Sequence, residues 1–278
     1  MCGICGVVGG DPVRERSHVE AMARTIAHRG PDDSGFYADE HAVLGHRRLS
    51  IIDLSSGHQP LSNEEGSLWI TFNGEIYNYR ELRAELVAAG CRFRTQTDTE
   101  VLLRLYERDG ARCLERLRGM FAFAIWDRVR QRLFAARDHF GQKPFFYAAR
   151  AGRFFFASEV KGLLAHGDLA AEPELVAIDA YLSLRFVPPP LTFFKNIRKL
   201  PAGHWLEWNA GTLRVERYWE PHFRAGPKRS VADWVAELTD QVDDAVRAHL
   251  VSDVPLGAFL SGGIDSSVVV ATMARHAP

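Results

Sequence analysis

The chain begins MCGICGVVGG, with a cysteine at the second position and another three residues later. Three chemical interpretations of Cys2 compete: half of a metal or redox pair with Cys5, a small buried hydrophobe, or a nucleophile. Removal of Met1 would leave a thiol and a free α-amine on one residue. Because such an amine titrates near pH 8, it could accept the thiol proton without help from a histidine.

The pairing of Cys2 with Cys5 is poorly supported as a metal or redox motif. A structural zinc site needs about four ligands, and the other two cysteines, Cys91 and Cys113, stand alone in the sequence. A redox CxxC normally follows a strand, and none precedes Cys2. The sequence therefore predicts no metal site, and it leaves the nucleophile and the buried hydrophobe open.

A second candidate group lies in WITFNGEIYNY, residues 69–79. Asn73-Gly74 after alternating apolar residues is a strong hairpin-turn signal. A turn with free backbone N–H groups beside an asparagine amide could also stabilise an oxyanion, with Asn73 donating from its side chain and Gly74 from its backbone. Both interpretations place the pair in a turn.

Charged residues in two further motifs could bind charged groups of a substrate. HRRLSIID, residues 46–53, places arginines next to an apolar strand, and an arginine there is either solvated or binds a substrate carboxylate through two parallel hydrogen bonds. Asp98, in QTDTEVLL, is first of all a helix N-cap, but its carboxylate could instead bind an ammonium group.

A third motif, GAFLSGGIDSSVVVA at 257–271, has the order strand, glycine turn, helix. Backbone N–H groups of such a turn and of the helix N-terminus can bind an anion. It is not a Walker A loop, since the Lys-Ser/Thr pair is missing. Ser261, Ser266 and Ser267 could add hydroxyl donors, and Asp265 could aid a metal–phosphate contact. The alternative is a simple cap on a buried helix.

The elements that must position these groups are short strands with a few helices grouped between them. Periodicity predicts a helix over 17–30 with Ser17 as N-cap and two more ended by Gly90 and Gly110. The predicted strands and the hairpin cover 4–8, 41–52, 67–72, 121–127, 132–138, 145–150, 154–159 and 204–219. Such grouping favours sheets covered by helices, the α+β class, over strand–helix alternation.

A composition change near 220 predicts a domain boundary. Residues 222–230 read as a linker, which divides the chain into domains 1–220 and 221–278. After the linker come a helix over 230–250, a buried strand over 254–260 and the start of another helix. The apolar face of the first of these helices comprises Val231, Trp234, Val235, Leu238, Val242, Val246 and Leu250.

Composition excludes several classes of protein. Of 278 residues, 34 are Lys or Arg and 35 are Asp or Glu, so the formal charge of −1 predicts neither a nucleic-acid nor a membrane surface. No stretch approaches the roughly 20 apolar residues of a membrane helix, and no signal peptide is recognisable. A reducing cytoplasm is the expected location.

Eight motifs followed by the glycine turn give the chain a family resemblance. They occur in this order: MCGICGVVG, HRGPDDSG, HRRLSIIDLSSGHQPL, FNGEIYNYRELR, TDTEVLL, LRGMFAFAIWD, RDHFGQKPFFY, FASEVKGLL and then SGGIDSS. The chain resembles glutamine-hydrolysing asparagine synthetases. The resemblance implies an N-terminal-nucleophile hydrolase with a four-layer αββα sandwich, followed by the beginning of an α/β domain like the adenine nucleotide α-hydrolases.

The resemblance also implies roles for individual residues. It makes Cys2 the nucleophile and assigns the oxyanion hole to Asn73 and Gly74. Glutamine binding falls on Arg48, Leu49, Ser50, Ile51, Asn73, Gly74, Glu75 and Asp98. Nucleotide binding falls on Leu260, Ser261, Gly262, Gly263, Ile264, Asp265, Ser266 and Ser267. ATP with magnesium is the implied co-substrate, and no tightly bound cofactor is expected.

The activity expected of these 278 residues is narrower than that of the family. Family members continue for several hundred residues after the glycine turn, so a fragment or a truncated product is expected, competent for glutamine hydrolysis alone. Three functions remain: asparagine synthesis from aspartate, amidation of another carboxylate in polysaccharide or peptide tailoring, and a non-catalytic interaction protein. A homodimer is compatible with the resemblance.

Overall fold

The computed structural model describes residues 1–224, 226 and 228–276. The chain divides into two compact units, Met1–Glu220 and Pro221–Pro278. Two residues of the expected linker, 225 and 227, lie outside the described residues. Each unit has its own architecture.

Two antiparallel six-stranded sheets build the first unit. The first sheet has the strand order β10-β8-β9-β1-β3-β2, and the second has β12-β11-β7-β6-β5-β4. The strands are β1 Gly3–Val8, β2 Asp33–Ala38, β3 Ala42–Arg48, β4 Leu61–Ser62, β5 Leu68–Ile76, β6 Gly119–Asp127, β7 Arg132–Arg137, β8 Phe146–Arg150, β9 Arg153–Ala157, β10 Arg198–Lys199, β11 His204–Asn209 and β12 Thr212–Arg217. The predicted strands and the final hairpin are confirmed.

The strands read as apolar runs because both faces of each sheet are covered. Along β6, Ala122, Ala124 and Trp126 pack against β1 and β9 between the sheets. The alternate side chains, such as Phe123, point to the other face, where Phe134 of β7 stacks with Tyr106 of a covering helix. Side chains of successive strand residues point to opposite faces of a sheet. One strand therefore packs against the other sheet on one face and against the helices on the other.

Helices form the outer layers of the first unit, so its order is helix, sheet, sheet, helix. The expected four-layer αββα arrangement is present. The helices are α1 Pro12–Thr25, α2 Tyr79–Ala88, α3 Asp98–Asp109, α4 Val160–Leu164 and α5 Leu175–Leu184.

Two helix starts differ from the predictions. Helix α1 begins five residues before the predicted cap, because the Asp11 carboxylate accepts a hydrogen bond from the Val13 N–H and Pro12 occupies the first turn. Ser17 lies inside the helix. At α3 the N-cap is Thr97, whose hydroxyl accepts from the Glu100 N–H, so Asp98 is the first helical residue rather than the cap.

The second unit contains two helices among its described residues, α6 Val231–His249 and α7 Ile264–His276. Helix α6 begins with a capping box between Ser230 and Asp233, and its predicted extent is confirmed. The predicted strand over 254–260 is wrong: these residues form no strand and are largely exposed. A strand needs a neighbour for its backbone hydrogen bonds, and the described residues of this unit offer none.

Across the part of the chain that the structure describes, no helix combines the length and the apolar character needed to span a bilayer.

Candidate active site at the start of β1

A cavity of about 200 Å³ opens where the start of β1, the end of β3 and the middle of β5 come together. Most of the predicted glutamine-site residues line it: Cys2, Arg48, Leu49, Ile51, Asn73, Gly74, Glu75 and Asp98. Ser50 does not, and its N–H instead donates to Asp32. Groups from four separate segments therefore converge on one pocket, which we call the Cys2 pocket.

Backbone contacts on both sides hold Cys2 in place. Its Sγ lies 3.4 Å from the Leu49 nitrogen, which donates to it, and 3.6 Å from the Leu49 oxygen. Its carbonyl accepts a hydrogen bond of 2.9 Å from Arg29 Nε. Burial raises the pKa of the thiol, opposed by the hydrogen bond from Leu49. A thiol in this setting stays protonated until a base takes its proton.

The Asn73-Gly74 pair lies within strand β5 and forms no turn, so the hairpin-turn prediction is wrong. The strand continues through these residues because β6 pairs with it from Leu68 to Ile76. The two positions have different surroundings.

The side chain of Asn73 is 1% exposed, yet neither its Oδ1 nor its Nδ2 has a hydrogen-bond partner within the protein. Buried amides are almost always hydrogen-bonded, because leaving one unpaired costs about 1–3 kcal/mol. This exception lines the Cys2 pocket. The amide is therefore available to a ligand.

The backbone N–H of Gly74 points to the open edge of β5. Its register partner in β6, Phe121, exchanges hydrogen bonds with Asp138 on the opposite side, so it does not bond Gly74. A Cβ at position 74 would lie 2.2 Å from the Met120 carbonyl oxygen. The close approach of β6 therefore requires glycine at position 74, whether or not a ligand also does.

Side chains cap the neighbouring N–H groups on this edge. The Phe72 N–H donates to Gln59 Oε1 over 2.7 Å, and the Ile76 N–H donates to Asp98 Oδ2 over 3.0 Å. Gly74 lies between these two capped positions. The edge thus presents a single donor to the pocket, next to the Asn73 amide.

The guanidinium of Arg48 is buried and already holds the loop that follows it. It donates to the carbonyls of Leu54, Ile52 and Asp53, over 3.4, 3.1 and 2.5 Å respectively. Gly57 packs beside it, and a Cβ there would lie 2.1 Å from Nη2. A guanidinium carries five N–H donors, so Arg48 can order this loop and still donate to a carboxylate.

Asp98 is a buried carboxylate of the Cys2 pocket with a raised pKa. Burial raises its pKa to about 7, and the nearby Glu75 adds to the rise, against hydrogen bonds from the Ile76 N–H and the first amides of α3. A buried carboxylate with this pKa gains from a cationic partner. The described contacts of Asp98 include no lysine or arginine.

Sequence reasoning missed several pocket residues, notably Gly57, Gln59 and Lys143. Lys143 is 6% exposed, and burial lowers the pKa of its ammonium, with Glu75 opposing. It reaches the pocket from the RDHFGQKP segment, where the Asp138 carboxylate accepts from its backbone N–H. No spacing rule connects these positions to Cys2, since they meet only through the packing of the two sheets.

The predicted nucleotide residues lie in the second unit, and all except the half-buried Ser266 are exposed. Leu260 to Gly263 form an irregular segment, and Ile264 to Ser267 begin α7. The hydroxyl of Ser261 bonds that of Ser266 over 2.9 Å, and Ser267 donates to the Gly263 carbonyl over 2.8 Å. Turn and helix start are as predicted, but the hydroxyls bond the loop itself.

Comparison with known families agrees with this architecture. Residues 1–219 match the model of the glutamine amidotransferase domain, and residues 237–278 match that of asparagine synthase. The chain belongs to the glutamine amidotransferase family.

Two curated relatives are named as asparagine synthetases. The chain is 42% identical over 285 residues to the glutamine-hydrolyzing asparagine synthetase 1 of Bacillus subtilis (strain 168), covering 100% of this chain and 44% of that protein. It is 36% identical to the glutamine-hydrolyzing asparagine synthetase B of Escherichia coli (strain K12), covering 100% of this chain and 45% of that protein. The chain therefore spans less than half the length of these relatives.

Two solved structures share the fold. One is described as the allosteric regulatory enzyme of purine biosynthesis, with a TM-score of 0.60 at 21% identity over 79% of this chain and 50% of that one. The other is a glutamine phosphoribosylpyrophosphate amidotransferase from B. subtilis, with a TM-score of 0.58 at 18% identity over 99% of this chain and 64% of that one. The predicted N-terminal-nucleophile fold is confirmed for the first unit.

Proposed function

We propose that the first unit hydrolyses glutamine to glutamate and ammonia at the Cys2 pocket. The observation that carries the proposal is the buried, unpartnered amide of Asn73 in the same cavity as the Cys2 thiol. Nucleophile and oxyanion donor are the two groups that acyl transfer requires.

The reaction begins after removal of Met1 exposes the α-amine of Cys2. Burial already lowers the pKa of the amine at Met1, and an amine on Cys2 would likewise favour its neutral, basic form. The amine takes the thiol proton, and Sγ attacks the side-chain amide carbon of glutamine. The tetrahedral oxyanion accepts hydrogen bonds from Asn73 Nδ2 and the Gly74 N–H.

Collapse of this intermediate breaks the carbon–nitrogen bond. The departing nitrogen takes the proton from the α-amine and leaves as ammonia, and a thioester remains on Cys2. Water then attacks the thioester carbon, a proton returns to the thiol, and glutamate leaves. The balance is one glutamine and one water to one glutamate and one ammonia.

Glutamine selection rests on charge at both ends of the substrate backbone. Arg48 binds the α-carboxylate, and Asp98, with Glu75 beside it, binds the α-ammonium. Leu49 and Ile51 line the cavity between them, while Ser50 acts through the loop backbone. The raised pKa of Asp98 supports this assignment, because a cationic substrate group would favour the ionised form of the buried carboxylate.

For the whole protein we propose asparagine synthesis. Its second domain would resemble the adenine nucleotide α-hydrolases and bind ATP with magnesium through Leu260 to Ser267, activating aspartate as an acyl-adenylate that ammonia attacks. The names of the relatives and the match at residues 237–278 support this. The donor set fits a phosphate group, since it combines hydroxyls with the first amides of α7. A homodimer and a cytoplasmic location belong to the same proposal.

Amidation of another carboxylate acceptor is the alternative, because no residue of the Cys2 pocket would distinguish the acceptors. A non-catalytic role is disfavoured by the unpartnered Asn73 amide, which costs stability without a ligand.

The test measures both half-reactions on the 278-residue chain. We expect glutamate from glutamine, and no pyrophosphate from aspartate, ATP, magnesium and ammonium, because the nucleotide loop is exposed and bonded to itself. Absence of glutamate formation in a sample with mature Cys2 would refute the glutaminase proposal. Stoichiometric pyrophosphate and asparagine would refute our account of the second unit.

A further inference from the structure

One buried lysine of the Cys2 pocket has no part in the hydrolysis proposed above. The side chain of Lys143 lines the same cavity of about 200 Å³ as Met1 and Cys2, and the residue is only 6% exposed. Within the described part of the chain, no hydrogen bond or ion pair reaches its ammonium group. Lysines this deeply buried are usually paired. An unpaired one beside the nucleophile therefore points to a function in the pocket.

Backbone hydrogen bonds on both sides fix the position of Lys143. The fully buried Asp138 carboxylate accepts from the Lys143 N–H over 2.9 Å and, through the same oxygen, from the Phe121 N–H over 3.2 Å. Phe121 is the register partner of Gly74. The Lys143 carbonyl accepts from Arg137 Nε over 2.7 Å. The lysine is thus anchored to the strands that flank the pocket, and its presence there does not depend on a ligand.

Charges of both signs surround Cys2 in the pocket. The charged groups that act on the Cys2 thiol, the N-terminal amine or Lys143 are Arg29, Arg48, Glu75, Asp98 and Asp138. Burial is the main cause of the lowered pKa of the amine at Met1, Cys2 opposes it, and Lys143 lowers this pKa further. Arg29 and Arg48 already donate to backbone carbonyls. Lys143 differs from both arginines, because its charge is left to act on the cavity.

We propose that the positive charge of Lys143 keeps the α-amine of mature Cys2 neutral, so that this amine can accept the thiol proton. A cation close to an amine disfavours a second positive charge there. Removal of Met1 moves the amine by one residue, and Met1 and Cys2 both line the cavity with Lys143. No proton passes to or from Lys143, which acts on the reaction through Cys2. This role rests on the proposed glutamine hydrolysis and deepens it.

The first measurement follows the amine itself, without glutamine, so that substrate binding by Asp98 does not enter. Trace acetylation with acetic anhydride as a function of pH, read by mass spectrometry of the N-terminal peptide in a Cys2→Ala background, gives the pKa of the amine. We expect Lys143→Met to raise this pKa by about 1. Lys143→Arg should leave it unchanged, because the charge is kept. Lys161, whose side chain is 53% exposed, is the internal reference for the reagent.

The second measurement is the pH profile of kcat/KM for glutamine, which reports the essential base of the free enzyme. Lys143→Met should move the acid limb up by about one pH unit, which is a loss of roughly tenfold at a pH below the limb, with recovery above it. A merely structural defect would lower the profile at every pH. Lys143→Arg should restore the parent profile, and Lys195→Met, which removes an exposed lysine, is the matched control.

Two results would overturn the role of Lys143. One is an unchanged amine pKa in both neutral variants, Lys143→Met and Lys143→Gln, which would make the lysine a packing residue of the pocket. The other is an equal rise in Lys143→Arg, which would assign the effect to side-chain shape and not to charge. A parent chain that releases no glutamate would instead refute the proposed hydrolysis, and the amine titration would still decide whether Lys143 acts on the amine.

Discussion

The Cys2 pocket and the SGGIDSS loop differ in how the chain holds their donors. In the pocket, rigid strands carry a buried amide whose hydrogen bonds are left open for a ligand. In the loop, exposed hydroxyls satisfy each other and the Gly263 carbonyl. A donor that is already oriented and unpaired needs little free energy to reorganise when charge develops on a ligand. A donor that is hydrogen-bonded within its own loop must first break those hydrogen bonds. The difference is what we expect if, as proposed, the first unit hydrolyses glutamine and the SGGIDSS loop of this chain does not activate a carboxylate.

The strongest test of the comparison removes the nucleophile. Cys2→Ala should lower glutamate release on the order of 10⁴-fold or more, as loss of a nucleophile does in comparable enzymes, with an unchanged melting temperature. Cys91→Ala, a half-buried cysteine outside the pocket, is the matched control. Intact-protein mass should show that Met1 is absent from active samples. Full activity with Met1 retained would contradict the amine as the base.

The second test concerns the unpartnered amide. Asn73→Ala should lower kcat by about 10²–10³-fold with little change in KM, because an oxyanion donor acts on charge that develops in the transition state. The variant should be no less stable than the parent by thermal melting, since the amide has no partner in the fold. A raised KM with kcat preserved would instead assign Asn73 to ground-state binding.

The third test separates the two roles of Arg48. Arg48→Lys should raise KM for glutamine roughly 10- to 100-fold, the size expected for a charge-assisted hydrogen bond of about 1.5–3 kcal/mol. Gly57→Ala should also raise KM for glutamine, because the added Cβ would clash with the Arg48 guanidinium. Normal kinetics in Arg48→Lys would show that a group other than Arg48 binds the substrate carboxylate.

The fourth test uses pH. The pKa of Asp98 is raised from 3.8 to about 7, so this group stabilises the fold most below its ordinary pKa and loses that contribution as pH rises to about 7. The pH dependence of glutamine binding has the opposite sign, since the substrate ammonium binds the ionised form of Asp98. KM should therefore increase as pH falls below 7. Asp98→Asn should raise KM and flatten this dependence, and a parallel profile in the variant would disprove the assignment.

The smallest expected effect lies in the other region. Asp265→Ala, in the exposed loop of the second unit, should leave glutamate release within about twofold of the parent chain, because surface substitutions outside a site change little. A loss approaching that of Asn73→Ala would show that the two regions act as one site.

The sequence predicted much of this fold because most elements carry local signals. The buried runs of β1 and of β6 to β9 are apolar enough to be recognised alone, and Gly90 and Gly110 end α2 and α3 as expected. Predictions failed where the conformation of a segment depends on contacts with residues that are distant in sequence. Residues 73–74 stay extended because β6 pairs with them, and residues 254–260 form no strand without a neighbour.

The site was predictable in its residue types but not in its contacts. Motif resemblance located Cys2 and Asn73, and no local pattern indicates that Gln59 and Lys143 join them. The contact between Glu15 and His166 likewise joins side chains 151 positions apart, so no local pattern predicts it.

The capped edge of β5 has a consequence for solubility. An exposed strand edge is a template for pairing with another chain, and proteins protect such edges in order to avoid aggregation. Here Gln59 and Asp98 accept hydrogen bonds from the N–H groups on either side of Gly74, so the Gly74 N–H is the one donor left open along this part of the edge. A small ligand can reach that donor, whereas an incoming strand would need several consecutive donors. The geometry that leaves room for a small ligand thus also keeps a second chain from adding to the sheet.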